Sequence, residues 1–175
     1  RDFDTVSICL SKGLGAPVGS VLVGSKADIA QAHRWRKMFG GGMRQAGIIA
    51  SAGIYALENN IERLSEDHKR AKKFAQALNT ISAFSVNVEN VQSNIVFIGV
   101  EKGSTKRIIE ELFKHGVGVL DTDESTIRAV FHLHITDEDL ENAINAFSKT
   151  YVHPPKSDKI LLDDSMILQG VANKQ

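Results

Sequence analysis

SICLSKGLGAPVGSVLVG, residues 7 to 24, places a lysine at the end of one short apolar run, follows it with a glycine-rich turn, and then starts a second apolar run. The runs at 5–10 and 20–24 are rich in Val, Ile and Leu and read as two neighbouring buried strands. Lys12 then stands where a buried strand meets a turn, and an ammonium out of water is costly unless it is paired or made neutral. A lysine that attacks an aldehyde must be neutral, and burial beside the cations Lys37 and Arg44 would favour that form. Gly13, Gly15 and Gly19 remove side chains where a flat ring and its phosphate would need to approach the backbone. Spacing alone supports a plainer reading, a lysine snorkelling from a strand end into a polar turn. Two nucleotide-binding readings fail on the letters. The run does not fit G-x-G-x-x-G, its Pro17 would spoil a helix starting there, and its lysine precedes the glycines where a P-loop places it after them.

Working outward, residues 26–38 have a helical pattern that Gly40, Gly41 and Gly42 stop at a flexible elbow. Residues 45–57 resume it, Asn59 and Asn60 interrupt, and residues 61–78 carry Ile61, Leu64, Ala71, Phe74, Ala75 and Leu78 on one stripe of a long, bent helix. The second half changes character. Residues 94–100 are strand-like, 104–115 helical with Ser104 as the cap, 117–120 and 127–133 strands, and 136–151 a helix opened by Thr136 and Asp139. The order suits a small α/β domain with its helices on one face of a sheet. Boundaries follow at 1–58, 59–151 and a tail at 152–175, where His153-Pro154-Pro155 ends the domain and no chemistry is legible.

With 175 residues, 42% of them hydrophobic, the chain can bury a real core. Its 21 basic and 21 acidic residues cancel, so no general attraction to nucleic acid or to a membrane surface follows, and function must come from a site. The apolar runs are far shorter than the roughly 20 residues of a membrane span. A single cysteine, Cys9, excludes an internal disulfide and reads as a small buried side chain in a reducing compartment. His132 and His134 alternate onto one strand face, but two histidines without a third ligand are assigned no role. Trp35 sits among Arg34, Arg36 and Lys37, a setting for packing or for a cation-π contact.

The stretch 7–24, together with HRWRKMFGGGMRQAGIIASAGIYAL at 33–57, resembles the cofactor-lysine region and elbow of the low-specificity L-threonine aldolases, pyridoxal-phosphate enzymes of fold type I. The resemblance covers about the first 150 residues. It implies an α/β chain made of the end of a large cofactor domain plus the small C-terminal domain, with no metal. Lys12 becomes the Schiff-base lysine, Ser11 a contact to the phosphate, and Lys37 and Arg44 basic residues near phosphate or substrate, contributed across a subunit interface. Arg128 becomes the planar donor that grips the substrate carboxylate, although a structural carboxylate is an equally open partner for it. The implied reaction is retro-aldol cleavage of L-threonine or L-allo-threonine to glycine and acetaldehyde. β-Elimination or transamination by the same lysine is the alternative. A cytoplasmic homotetramer acting on a small amino acid is expected.

Only 11 residues precede Lys12, so the family's pyridine-nitrogen aspartate, ring-stacking histidine and phosphate loop cannot be placed. The expectation is therefore a C-terminal fragment, possessing a lysine without half of its site, or a noncatalytic remnant.

Overall fold

The computed structural model describes residues 2–152. Apolar β-formers build strand β1 (Thr5–Cys9) and strand β2 (Ser20–Gly24), an antiparallel hairpin with Val6 opposite Val23 and Ile8 opposite Val21. Helix α1 (Lys26–Met38) follows directly, its start fixed by Ser25, whose Oγ accepts from the Asp28 backbone N–H at 3.2 Å. The chain then passes the glycine elbow into α2 (Gly47–Asn59) and α3 (Leu64–Leu78).

Three further strands make the second sheet: β3 (Ile95–Gly99), β4 (Leu120–Asp123) and β5 (Thr126–Val130), in the antiparallel order β3-β5-β4. Helix α4 (Thr105–Lys114) joins β3 to β4, and α5 (Asp137–Val152) follows β5. The turn between β4 and β5 is held by Asp123, whose Oδ1 accepts from the Ser125 N–H at 2.7 Å. Val96 and Ile98 pair with Ala129 and Ile127 on one sheet face, all four buried, so α3, α4 and α5 cover that face. Edge-to-face rings occupy its centre, with Phe74 at 5.4 Å from both Phe131 and Phe147. Arg70 Nε to Asp137 at 2.7 Å and Lys73 to Glu141 at 2.6 Å tie α3 to α5.

A smaller cluster, Leu10, Leu14, Ala16 and Ala56 with Leu64 against it, lies under the β1–β2 turn. It is all that the hairpin buries. Val6, Ile8, Val21, Leu22 and Val23 are each at least 39% exposed, so the two strands are not the buried pair that their composition suggests. Cys9 is likewise exposed rather than buried. The expected long helix over 61–78 is also corrected: α2 ends at the cap Asn60, a turn spans the residues before Leu64, and α3 begins afresh. Val117–Val119 is coil, β4 starting only at Leu120, and β5 stops at Val130, three residues short of expectation, its last cross-strand backbone bond being Phe131 N to the Asn94 carbonyl at 2.9 Å before the chain turns at 133–134. Ser104 occupies the cap of α4 but its Oγ donates to the Glu101 carbonyl at 2.6 Å and not to the helix. Thr136 and Asp139 behave as read: Asp139 N donates to Thr136 Oγ1 at 3.1 Å, and Thr136 N to Asp139 Oδ2 at 2.8 Å. The expected tail beyond 152 lies outside the described residues.

Candidate functional site

Lys12 rides on the loop that closes the β1–β2 hairpin. Leu10 N donates to the Gly19 carbonyl at 2.9 Å, Ala16 N to the Leu10 carbonyl at 3.0 Å, and Gly15 N to the Lys12 carbonyl at 2.9 Å. The last bond makes a tight turn over Lys12 to Gly15, in which Gly15 takes φ +72°, a conformation that L side chains rarely adopt. Leu14 and Ala16 point into the small core while Ser11 and Lys12 stay exposed, so the loop anchors itself by its apolar members and presents the polar ones. Lys12 is thus not buried in this segment. No side-chain hydrogen bond or ion pair engages its amine among the described residues.

Beside it, Ser11 Oγ lies 3.4 Å from Cys9 Sγ. Hydrogen bonds from the Ser11 side chain and backbone, aided more weakly by Ser20 and the Lys12 charge, hold the Cys9 thiol below its ordinary value. The loop is braced from outside by Asn60, whose Nδ2 donates to the Leu14 carbonyl at 2.7 Å. A Cβ on Gly13 would stand 3.0 Å from Leu64, and one on Gly15 3.0 Å from Leu133, so both glycines permit close packing.

Lys37 sits in the last turn of α1, exposed, with its side chain folded back over the elbow: a Cβ on Gly42 would come within 3.1 Å of Lys37 Nζ. Arg44 follows the elbow and is exposed. Arg128 lies on β5 between two cross-strand neighbours, Phe97 on β3 and Leu120 on β4. Its Nε is shielded from solvent and has no hydrogen-bond partner among the described residues. No hydrogen bond or ion pair among the described residues connects Lys12, Lys37, Arg44 and Arg128 to one another. Ser11 and Lys12 are brought together on one loop, and the others are presented from separate elements.

A cavity of about 650 Å³ opens elsewhere, between α5, β5 and the α4–β4 connection, lined by Phe74, His115, Val119, His134 and Lys149 among others. It includes none of the predicted site residues. His132 Nδ1 accepts from the His134 backbone N–H at 3.3 Å and the two rings meet edge to face. Among the described residues no cluster of three His, Cys, Asp or Glu side chains is placed to hold a metal ion, and no helix is long and apolar enough to cross a membrane. Trp35 stacks on Phe39, the residue that caps α1, with ring centroids 5.9 Å apart, so of the two settings its neighbours allowed the structure shows packing.

Sequence reasoning missed Asn60, read only as a helix interruption, and the exposure of Cys9, read as a small buried side chain. Neither had a signal in the letters, since the carbonyl that Asn60 reaches is 46 residues away.

A lysine hairpin beside a glycine turn, followed by a helix-covered antiparallel sheet, is the arrangement of the C-terminal part of a fold type I pyridoxal-phosphate enzyme. The solved structure of a putative L-allo-threonine aldolase from Listeria monocytogenes EGD-E superposes on 85% of this chain and 45% of its own, with a TM-score of 0.67 at 22% identity. The family model of the beta-eliminating lyases matches residues 1–101, and the chain belongs to that family. The low-specificity L-threonine aldolase 1 of Arabidopsis thaliana is 42% identical over 149 residues, covering 83% of this chain and 42% of its own length. The low specificity L-threonine aldolase of Escherichia coli (strain K12) is 45% identical over 137 residues, covering 78% and 40%. The chain therefore spans about two-fifths of the length of these relatives.

Proposed function

We propose that this chain forms the C-terminal part of a pyridoxal-phosphate-dependent threonine aldolase, which cleaves L-threonine or L-allo-threonine to glycine and acetaldehyde. One observation carries the reading: an unpartnered lysine amine presented by a glycine turn, in a chain of this family. The residues present fit the cofactor. Lys12 offers a free primary amine, Ser11 a hydroxyl next to it, and Gly19, at φ +115° with open space where a Cβ would stand, bare backbone against which a flat ring can lie.

Bound pyridoxal phosphate would supply an aldehyde to the amine and a conjugated ring able to accept the electron pair of a broken Cα–Cβ bond. The chain's own residues do the rest. Lys12 holds the cofactor and, once released by a substrate amine, stands ready to move a proton at Cα. Ser11 donates to the phosphate, and Lys37 and Arg44 balance its charge across a subunit interface of a homotetramer. Arg128 grips the substrate carboxylate, its unsatisfied Nε being the donor that a bidentate partner would complete. Residues 1–58 then belong to the large domain and 59–151 to the small one, in a cytoplasmic enzyme. The base for the β-hydroxyl and the partner of the pyridine nitrogen come from family segments outside this chain.

Borohydride reduction in the presence of pyridoxal phosphate, followed by peptide mass spectrometry, tests the reading. Label on the Lys12 peptide is expected, and its absence from a folded full-length protein would refute it. The family model's own description favours a second reading, β-elimination by the same lysine. Ammonia and pyruvate from serine, with no acetaldehyde from threonine, would select it.

A further inference from the structure

We infer that Asn60 is a positioning residue for Lys12, acting through the turn that carries it; this rests on the Schiff-base reading of Lys12. The Lys12 side chain makes no hydrogen bond or ion pair among the described residues, so its direction depends on the backbone of the Lys12–Gly15 turn. That turn has one internal bond, Gly15 N to the Lys12 carbonyl at 2.9 Å. One side-chain bond reaches it from outside, Asn60 Nδ2 to the Leu14 carbonyl at 2.7 Å, and that bond is partly buried. Leu14 itself is buried, so its carbonyl has little water to turn to if the amide is lost.

Asn60 is in turn fixed at its own end. It caps α2, donating its backbone N–H to the Ala56 carbonyl at 2.9 Å, and Ala56 belongs to the same small core as Leu10, Leu14 and Ala16. The amide therefore joins a rigid helix end to the turn from below, while Leu64 and Leu133 meet Gly13 and Gly15 from the sides. Leu64 opens α3 and Leu133 follows β5, so the two braces come from segments far apart in the chain. A reacting amine must be held to a fraction of an ångström, since a misplacement of about 1 Å can cost about a hundredfold in rate. Among the described residues Asn60 is the one side-chain hydrogen-bond donor to that turn.

The test uses the full-length protein carrying this segment, with Asn60→Ala and Asn60→Asp; the second keeps size and cap position but loses the donor. Amide hydrogen exchange of the cofactor-free protein at Gly15 and Ala16 should quicken by about three- to tenfold in both variants, the range expected for one lost hydrogen bond. Threonine cleavage should lose a similar factor in kcat while KM stays within about twofold, and melting should fall by no more than about 4 °C. Wild-type exchange at Gly15 and Ala16 with wild-type kcat would overturn the inference. So would exchange raised equally throughout α2 and α3, which would mark Asn60 as a helix cap and nothing more. Borohydride labelling of the unaltered protein separates the two claims: label on Lys12 with indifferent Asn60 variants sinks only the positioning role, whereas no label on Lys12 sinks the reading beneath it.

Discussion

Replacing Arg128 by lysine tests the site where its geometry is most demanding. Arg128 stands on the outer face of the second sheet between its cross-strand neighbours Phe97 and Leu120, and its Nε is buried without a hydrogen-bond partner among the described residues. Leaving such a donor unpaired costs about 1–3 kcal/mol, a cost that a carboxylate bound in the bidentate manner would remove. Lysine keeps the charge but has no donor at that depth. The loss of one charge-assisted bond, about 1.5–3 kcal/mol, predicts a rise in KM for threonine of about ten- to 150-fold with little change in cofactor binding. Arg128→Met should have the opposite effect on the fold: removing the unpaired donor leaves the protein at least as stable as before. Steady-state acetaldehyde release measured against threonine concentration gives the first quantity, and thermal melting without substrate the second. An unchanged KM for Arg128→Lys, combined with a clear loss of stability in Arg128→Met, would show that Arg128 answers a structural carboxylate and would refute the reasoning.

Lys12→Ala in the full-length protein should abolish the Schiff-base absorption band and lower threonine cleavage by orders of magnitude, with melting unchanged because the side chain is exposed and unpaired; normal turnover would overturn the assignment. Asp67, fully buried, binds Arg63 at 2.6 Å, so Asp67→Asn strands a guanidinium and should cost about 3–5 kcal/mol in denaturant unfolding. Thr136→Ala removes the hydroxyl that caps α5 and should cost about 0.5–2 kcal/mol by the same measurement. The Thr136 backbone N–H and hydroxyl hold the Asp139 carboxyl below its ordinary value, so this contribution is complete above the unfolded carboxyl range and fades as pH falls through the folded value. Acid unfolding of Thr136→Ala should accordingly be less steep. The 175-residue chain by itself should release no acetaldehyde from threonine and should self-associate in sedimentation, since the hairpin exposes apolar side chains and each of its strands has an open edge.

Element positions were legible because periodicity and punctuation are local. Residues 26–38 stop where the glycines begin, and Thr136 with Asp139 opens α5 as their spacing implies. Burial was not legible in the same way. Val6, Ile8 and Val23 have core composition, yet burial depends on what packs against a strand, and only the turn of this hairpin meets the small cluster at Ala56 and Leu64. Strand ends were misjudged for a related reason. The apolar run 127–133 continues past Val130, and Phe131 still donates its N–H to the Asn94 carbonyl, but the chain turns at 133–134, so the pairing ends where the partner strand and the turn end it and not where the apolar letters stop. Spacing left the chemistry of Lys12 ambiguous and its proposed role rests on the family resemblance, whereas the donor to its turn came from a residue 46 positions from Leu14.

That long-range bond bears on how the chain can be divided. The family match ends at residue 101, just past β3, yet β3 pairs along its whole length with β5, beyond that point, and on the near side only through the single bridge of Gly99 to Ser85 among the described residues. Arg128, proposed to hold the substrate carboxylate, stands on β5 directly opposite Phe97 of β3, so the sheet that places it draws on both sides of residue 101. The Lys12 turn has the same dependence in the other direction, since Leu133 packs against Gly15 from the connection after β5. A lysine at the start of the chain and an arginine near its end are thus held by one continuous set of contacts: loop to α2 cap, α2 to α3, and α3 to the core face of the sheet whose outer face carries Arg128. Changes in the small sheet should therefore be read first as changes in where Lys12 and Arg128 are held, and only then as losses of stability.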